Sequence, residues 1–96
     1  MTNVLTPAEL ATALHSLPGW TFRDGTIRAS YTFRDFAAAF AFMTRVAAEA
    51  ERQNHHPDWR NVWSKVEISL STHDAHGVTG KDLELAKRIA ALAVEG

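Results

Sequence analysis

Cysteine does not occur in this sequence of 96 residues. Its absence excludes disulfide bonds, thiolate metal ligands and a cysteine nucleophile. The absence also fits a reducing compartment. The first six residues lack the basic segment and apolar run that are typical of a secretory signal peptide. We therefore expect a cytoplasmic protein.

The chain also lacks a charge excess and a long apolar segment. Its formal net charge is −1, so no field that attracts nucleic acid or an anionic membrane is expected. The apolar stretch 36–50 is interrupted by Thr44, Arg45 and Glu49 and is too short and charged to span a bilayer. No glycine-rich phosphate loop or Gly-x-Ser-x-Gly nucleophile motif is found. The composition predicts a single globular domain over residues 1–96.

Apolar periodicity and capping residues divide the first half of the chain into three parts. Thr6-Pro7-Ala8-Glu9 is a helix start, and this helix should end near Ser16. Two runs with alternating apolar residues flank Asp24-Gly25, which predicts a β-hairpin. From residue 34 or 35 to about Asn54 the period becomes helical. The apolar stripe predicted for that helix comprises Phe36, Phe40, Met43, Ala47 and Ala50, widened by Phe42 and Val46.

The second half predicts two strands and a last helix. The strands cover 59–63 and 65–71, with a turn near Ser64 and a loop over 72–80. Thr79-Gly80-Lys81-Asp82 opens a helix that runs to about Val94. Its apolar arc is wider than packing on one sheet requires, so we expect another subunit to cover part of it. The predicted fold is α+β: a four-stranded antiparallel sheet with three helices on one face, in the order αββαββα.

Histidine is the most informative residue type. His55 and His56 follow the long helix, His73 ends the last strand, and Asp82 lies in the first turn of the last helix. Element ends are where a small sheet protein can gather side chains at one mouth. Histidine titrates near neutrality, so one ring can accept a proton while another donates one, and Asp82 can orient one of them. Alternatively, the His-His-Pro stretch only caps the helix carbonyls.

A zinc centre is the sharpest rival to an acid–base site. His73 and His76, with His55 or His56, would supply three imidazoles. Adjacent histidines on an extended chain point to opposite sides, however, and His73 and His76 lie in a predicted loop. We therefore predict no metal site.

Aromatic residues flank the histidines. Trp59 and Trp63 are four residues apart and share a strand face by parity. An indole beside imidazoles suits a flat, conjugated ligand, and Trp59, nearer to His-His-Pro, is the candidate for stacking. Trp63 and Trp20 are assigned to the core. Glu51, one helical turn before His55, either tunes a histidine or is a solvated helix residue.

The sequence Glu51-x-x-x-His55-His56-Pro57, followed by His73 and Asp82 at the observed spacings, resembles the pterin-4a-carbinolamine dehydratase family. Segments 57–63 and 70–73 are also similar, although Trp63 stands where an aromatic residue, often tyrosine, is expected. The resemblance covers nearly the whole chain. It implies the αββαββα fold, dimers or tetramers, and a hydro-lyase that uses no metal or cofactor. The implied reaction removes water from 4a-hydroxytetrahydrobiopterin and gives quinonoid dihydrobiopterin, recycling the pterin cofactor of aromatic amino-acid hydroxylases.

The resemblance also implies the site residues. Catalysis is assigned to His55, His56 and His73, with Asp82 as the supporting carboxylate. Pterin binding is assigned to Trp59, His56 and Glu51. His55 and His73 are expected to share the acid and base roles. Non-catalytic alternatives on the same fold are a dimerisation module for transcription factors and a relative acting in molybdopterin metabolism or assembly. The complete set of pocket histidines favours catalysis.

Overall fold

The order of helices and strands is the one that the sequence predicts. A computed structural model of the protein describes residues 3–95. The helices are α1 (Pro7–His15), α2 (Phe36–Gln53) and α3 (Gly80–Glu95), and the strands are β1 (Thr21–Arg23), β2 (Thr26–Thr32), β3 (Asp58–Val62) and β4 (Lys65–Leu70). All neighbouring strands are antiparallel, in the order β1-β2-β4-β3. The α+β prediction is therefore confirmed.

Local capping and turn signals explain where these elements begin and end. The Thr6 hydroxyl accepts from the backbone N–H of Glu9 at 3.1 Å, and the Thr6 N–H donates to the Glu9 carboxylate at 2.8 Å. This is the predicted capping box. Asp24 and Gly25 have φ angles of 51° and 76°, which is the geometry of a tight two-residue hairpin loop. Asp35 caps α2 by accepting from the N–H of Ala38 at 2.8 Å.

The core lies between one face of the sheet and the three helices. Buried strand residues and buried helix residues form one cluster, to which Leu10, Phe42, Val46, Ile68 and Ile89 belong. None of the helices within residues 3–95 combines the length and the apolarity that crossing a bilayer requires.

The face of α2 that packs on the sheet differs from the predicted one. Phe42 and Val46 are fully buried, whereas Phe36 and Phe40 are 49% and 53% exposed. The centre of the buried face is therefore displaced by about a quarter turn from that of the predicted stripe, of which Ala50 is buried and Met43 partly buried. This alanine-rich helix has apolar residues on two sides, so the spacing of its apolar residues does not determine which side is buried. Aromatic packing against β2 and the residue that follows it determines which side of α2 is buried. The centroid of the Phe42 ring lies 5.6 Å from that of Tyr31 and 4.7 Å from that of Phe33.

The tryptophan assignments had mixed outcomes. Trp20 is buried in the core and donates its indole N–H to the Tyr31 hydroxyl at 2.9 Å, as a buried indole requires. Trp63, also predicted in the core, is 68% exposed. Strand β3 ends at Val62, and Trp63 lies in the turn with a φ of 51°. The parity that relates Trp63 to Trp59 therefore does not extend to the turn.

Helices α2 and α3 are antiparallel neighbours joined by the carboxylate of Glu49. Glu49 accepts from Arg52 and from the Gln53 amide on its own helix, and Arg88 of α3 lies 3.6 Å away. The hydrogen bond from Arg52, followed by that from Gln53, lowers the pKa of Glu49 from 4.5 to about 2. The charged form of Glu49 therefore stabilises the folded chain.

This coupling predicts a specific pH dependence of stability. The folded-state pKa of Glu49 is depressed, so its contribution is complete above pH 4.5 and is lost as the pH falls towards 2. We expect Glu49→Gln to have a lower urea midpoint than the wild type near pH 7, and the difference to shrink between pH 4.5 and pH 2. Chemical denaturation across that range measures this. Glu95→Gln removes the same charge from the exposed end of α3 and should leave the wild-type profile unchanged. A constant difference between Glu49→Gln and the wild type at all pH values would contradict the assignment.

Candidate active site

A buried carboxylate lies at the centre of the candidate site. Asp82, in the first turn of α3, is 0% exposed. Its Oδ1 lies 2.5 Å from Nε2 of His55. Its Oδ2 accepts from the backbone N–H of Thr79 at 2.8 Å and from the Thr72 hydroxyl at 2.9 Å. Both oxygens thus have donors, which is what burial of a carboxylate demands.

The end of α2 brings His55 to this carboxylate. Asn54 takes a left-handed conformation with a φ of 52°, and the His55 N–H closes the turn by donating to the carbonyl of Ala50 at 3.0 Å. The chain then turns so that the His55 side chain faces α3 and is only 11% exposed. His55 is therefore held by a backbone turn on one side and by Asp82 on the other.

His56 has a different environment from its neighbour. Its side chain is 57% exposed, and its Nε2 lies 2.5 Å from Oε2 of Glu51 on the last turns of α2. Glu51 was predicted either to tune a histidine or to be solvated. It is exposed, and its carboxylate pairs with His56, not with His55.

The start of α3 is built as the sequence predicts. The Thr79 hydroxyl accepts from the N–H of Lys81 at 3.2 Å, while Asp82 accepts from the N–H of Thr79. These reciprocal bonds form a capping arrangement with aspartate in place of the usual glutamate. Asp82 consequently has two functions, since the same carboxylate caps α3 and holds His55.

His73 lies directly after a residue of this network. Thr72 is held in place because its N–H donates to the carbonyl of Gly77 at 2.8 Å. His73 begins a short 3₁₀ helix, His73–Ala75, within the segment that the sequence predicted as a loop. Its side chain is exposed, and its ring centroid lies 6.4 Å from that of His76. Across residues 3–95, no group of three or more histidine, cysteine or acidic side chains has an arrangement that could hold a metal ion.

Two depressions adjoin these residues. One, of about 420 Å³, is lined by His55 together with Gln53, Gly80, Lys81 and Glu84. The half-buried Trp59, which pairs with Ile68, instead lines a depression of about 410 Å³ on the sheet. The structure therefore joins His55 to Asp82 and His56 to Glu51, whereas neither His73 nor Trp59 lines the depression beside His55. The catalytic and binding roles assigned to all of these residues stay predictions.

Sequence reasoning missed part of this network. Thr79 was recognised as a helix cap, but not as a partner of Thr72, whose hydroxyl lies 2.6 Å from its own. Thr72 carries no local signal, because its hydroxyl makes no hydrogen bond to the 3₁₀ helix that follows it and its partners lie seven and ten residues away. Gln53 and Glu84 were also missed as cavity-lining residues. Their position in the sequence could have indicated this, because both lie within one helical turn of a predicted site residue.

The carboxylate of Asp82 should be critical for stability. In Asp82→Asn, the new amide has one oxygen that accepts and one NH₂ group that only donates. The NH₂ group must face either His55 or the donors of Thr79 and Thr72, and the donors that it faces lose their acceptor. We expect the free energy of unfolding to fall by about 3 kcal/mol. Asp74→Asn, an exposed change in the 3₁₀ helix, should stay within about 0.5 kcal/mol of the wild type. Urea denaturation compares the two, and equal stabilities would show that the network contributes little.

Nearly the whole chain is similar in sequence to known proteins. The profile of the family described as pterin 4 alpha carbinolamine dehydratase matches residues 3–92. A protein of Rhizorhabdus wittichii is 55% identical over 91 residues, which cover 93% of this chain and 94% of that protein. A protein of Christiangramia forsetii is 51% identical over 89 residues, covering 93% and 92%. Both carry the name pterin-4-alpha-carbinolamine dehydratase as a provisional assignment.

Two solved structures share the architecture. A transcriptional coactivator/pterin dehydratase from Brucella melitensis superposes with a TM-score of 0.93 at 41% identity, covering 95% of this chain and 99% of that one. A pterin dehydratase-like protein identified as a RuBisCO assembly factor in the α-carboxysome has a TM-score of 0.65 at 23% identity, with 77% and 86% covered. The second likeness establishes the fold alone.

Proposed function

This chain belongs to the pterin-4a-carbinolamine dehydratase family, and we propose that it is an active dehydratase that converts 4a-hydroxytetrahydrobiopterin to quinonoid dihydrobiopterin. The observation that carries the proposal is the pair formed by His55 and buried Asp82 beside a cavity of about 420 Å³. A cavity of this size is in the range of small-molecule sites.

The reaction requires an acid and a base. The C4a–O bond breaks and the hydroxyl leaves as water, so an acid must protonate it. A base removes the proton from N5, and the N–H electron pair forms the N5=C4a double bond. We assign these two roles to His55 and His73, and positioned groups of this kind accelerate reactions by about 10²- to 10⁴-fold each. The atoms balance without any change of oxidation state, so the proposed step uses no redox cofactor, and both proton transfers are assigned to histidines and not to a metal.

The remaining site residues are assigned to binding. His56, exposed and paired with Glu51, would orient the pterin, and Trp59 would contact its ring. The cytoplasmic location and a link to aromatic amino-acid hydroxylases stay predictions from the sequence.

Activity assays on single variants test the assignment. Quinonoid product formation should be readily measured for the wild type after dialysis against EDTA. We expect His55→Ala and His73→Ala to lower kcat by about 10²-fold or more, because each removes an acid or base. His15→Ala, an exposed change at the end of α1, is the matched control and should retain full activity.

Each outcome is informative. Because His73 is exposed, His73→Ala should melt like the wild type, so its lost activity cannot be attributed to unfolding. Full activity of His73→Ala would remove His73 from the mechanism. Loss of wild-type activity on EDTA dialysis, restored by zinc, would overturn the metal-free proposal.

A binding module is the second candidate function. The Brucella melitensis relative is described as both a transcriptional coactivator and a pterin dehydratase. In this chain, the exposed Phe36 and Phe40, whose ring centroids are 5.7 Å apart, provide an apolar surface distant in sequence from the histidines. A folded wild type without dehydratase activity would favour this candidate.

We also propose that the protein forms a homodimer or homotetramer. On α3, the residues at the centre of the apolar arc are buried within the chain, but Val94 is 89% exposed. The His55–Asp82 contact and the approach of Arg88 to Glu49 together make α2 and α3 antiparallel, so Val94 lies at the same end of the helix pair as Phe36 and Phe40. A neighbouring subunit that covers this end would remove three large apolar side chains from water.

The oligomer proposal predicts a charge-sensitive interface. We expect light scattering after size exclusion to give a dimer or tetramer for the wild type and a smaller species for Phe40→Glu, because a buried charge opposes association. Phe22→Glu changes a phenylalanine of equal exposure, 50% against 53%, on β1 and should leave the mass unchanged. A monomeric wild type would contradict the proposal, and a smaller species only for Phe22→Glu would move the interface to β1.

A further inference from the structure

Two threonine hydroxyls, neither of which belongs to the proposed acid–base set, complete the surroundings of Asp82. Thr79 is fully buried and Thr72 nearly so. Their hydroxyl oxygens lie 2.6 Å apart, and that of Thr72 lies 2.9 Å from Oδ2 of Asp82. Within residues 3–95, no buried side-chain nitrogen or oxygen lacks a hydrogen-bond partner. Protein groups alone therefore satisfy the buried polar atoms of this network.

The direction of each hydrogen bond follows from counting protons. A hydroxyl has one proton to donate, and a carboxylate only accepts. The proton of Thr72 therefore goes to Asp82, so Thr72 must accept in its contact with Thr79. The Thr79 hydroxyl donates that bond and itself accepts from the N–H of Lys81 at 3.2 Å. The result is a one-way chain of donors from Thr79 through Thr72 to Asp82.

The carboxylate of Asp82, which these donors hold in place, determines which nitrogen of His55 carries the proton. Oδ2 of Asp82 receives two donors, the Thr72 hydroxyl and the backbone N–H of Thr79, so Oδ1 stays directed at His55. The proton in the 2.5 Å contact between Oδ1 and His55 then belongs to the imidazole, because a carboxylate has no proton to donate. In the neutral ring, Nε2 is thus the donor and Nδ1 holds the lone pair.

The free nitrogen of His55 is accessible. Nδ1 makes no hydrogen bond to any group within residues 3–95, although His55 is mostly buried. Since buried unpartnered nitrogens are absent from that part of the chain, Nδ1 must reach solvent. His55 also lines the cavity of about 420 Å³. An imidazole held in this way presents a proton acceptor to solvent on a residue that lines this depression.

We propose that Thr72 and Thr79 are positioning residues that fix His55 as the Nε2–H tautomer, which makes Nδ1 the catalytic base. This inference rests on the dehydratase function proposed above and divides its two roles. Nδ1 takes the proton from N5, the N–H electron pair forms N5=C4a, and the C4a–O bond breaks. His73 donates the proton with which the hydroxyl leaves as water. The imidazolium of His55 keeps its Nε2–H on Asp82, and both histidines then exchange protons with solvent.

The tautomer is measured on the free protein without substrate. Long-range ¹H–¹⁵N spectra separate ring nitrogens with a proton from those without, and His55→Gln identifies the His55 signals. We expect the wild type to have a protonated Nε2 and a bare Nδ1. Thr72→Val removes one of the two donors to Oδ2 of Asp82 and the acceptor for Thr79, so the carboxylate can rotate away from His55 and both tautomers should be populated. Thr72→Ser keeps the hydroxyl and should restore the wild-type spectrum.

Kinetics test the consequence for the reaction. By comparison with other groups that orient a functional histidine, we expect Thr72→Val to lower kcat by about 10- to 100-fold, with a smaller change in KM. Thr72→Ser should recover most of that loss, which a merely structural role of the threonine methyl group would not explain. Thr79→Ser and Thr79→Ala repeat the comparison at the first donor of this hydrogen-bond series, in case Thr72→Val does not fold.

The failures of the two proposals are distinguishable. A wild-type spectrum with protonated Nδ1 and bare Nε2 would overturn the inference whatever the activity. A single wild-type tautomer in Thr72→Val, together with unchanged kcat, would remove the threonines from the mechanism. If the expected tautomer is found but the wild type is inactive, the proposed function fails and the role of Nδ1 as base fails with it.

Discussion

Burial of one carboxylate is the constraint on which the candidate site depends. Asp82 is inaccessible to solvent, and a buried carboxylate destabilises the fold unless donors surround it. The donors come from three separate segments: His55 after α2, Thr72 after β4, and the backbone of Thr79 before α3. The chain can satisfy Asp82 only when these three segments have assembled. The interaction that positions the histidine is therefore also one that requires the correct tertiary structure.

The antiparallel helices α2 and α3 are joined by polar contacts at two separate places. Asp82 meets His55 at one end, and Glu49 lies near Arg88 further along both helices. Two separated contacts fix the relative rotation and register of two helices, whereas one contact would leave a pivot. His55 follows the C-terminus of α2, so its position depends on that register. Catalytic geometry tolerates errors of only about 0.5 Å, and two polar links provide such control at little expense of apolar core.

Much of the fold was predictable because its signals are local. The capping boxes at Thr6 and Thr79 and the Asp24-Gly25 hairpin each act within four residues, and the structure contains all of them. The side of α2 that is buried was not predictable, because an alanine-rich helix with phenylalanines on two sides has no single apolar face. Tyr31 and Phe33 make that choice through contacts distant in sequence. Trp63 was misplaced for a related reason, since parity predicts a strand face only while the strand continues.

Prediction of the site reached a similar limit. The residue types at His55, His56 and Asp82 indicate acid–base chemistry, but they do not reveal which histidine meets which carboxylate. A left-handed turn at Asn54 decides this by sending His55 towards α3 and leaving His56 beside Glu51. The two neighbours thereby acquire different environments: His55 is mostly buried against a buried carboxylate, and His56 is exposed beside an exposed one. The proposed division of labour, with proton transfer at His55 and pterin orientation at His56, rests on this difference between two identical side chains.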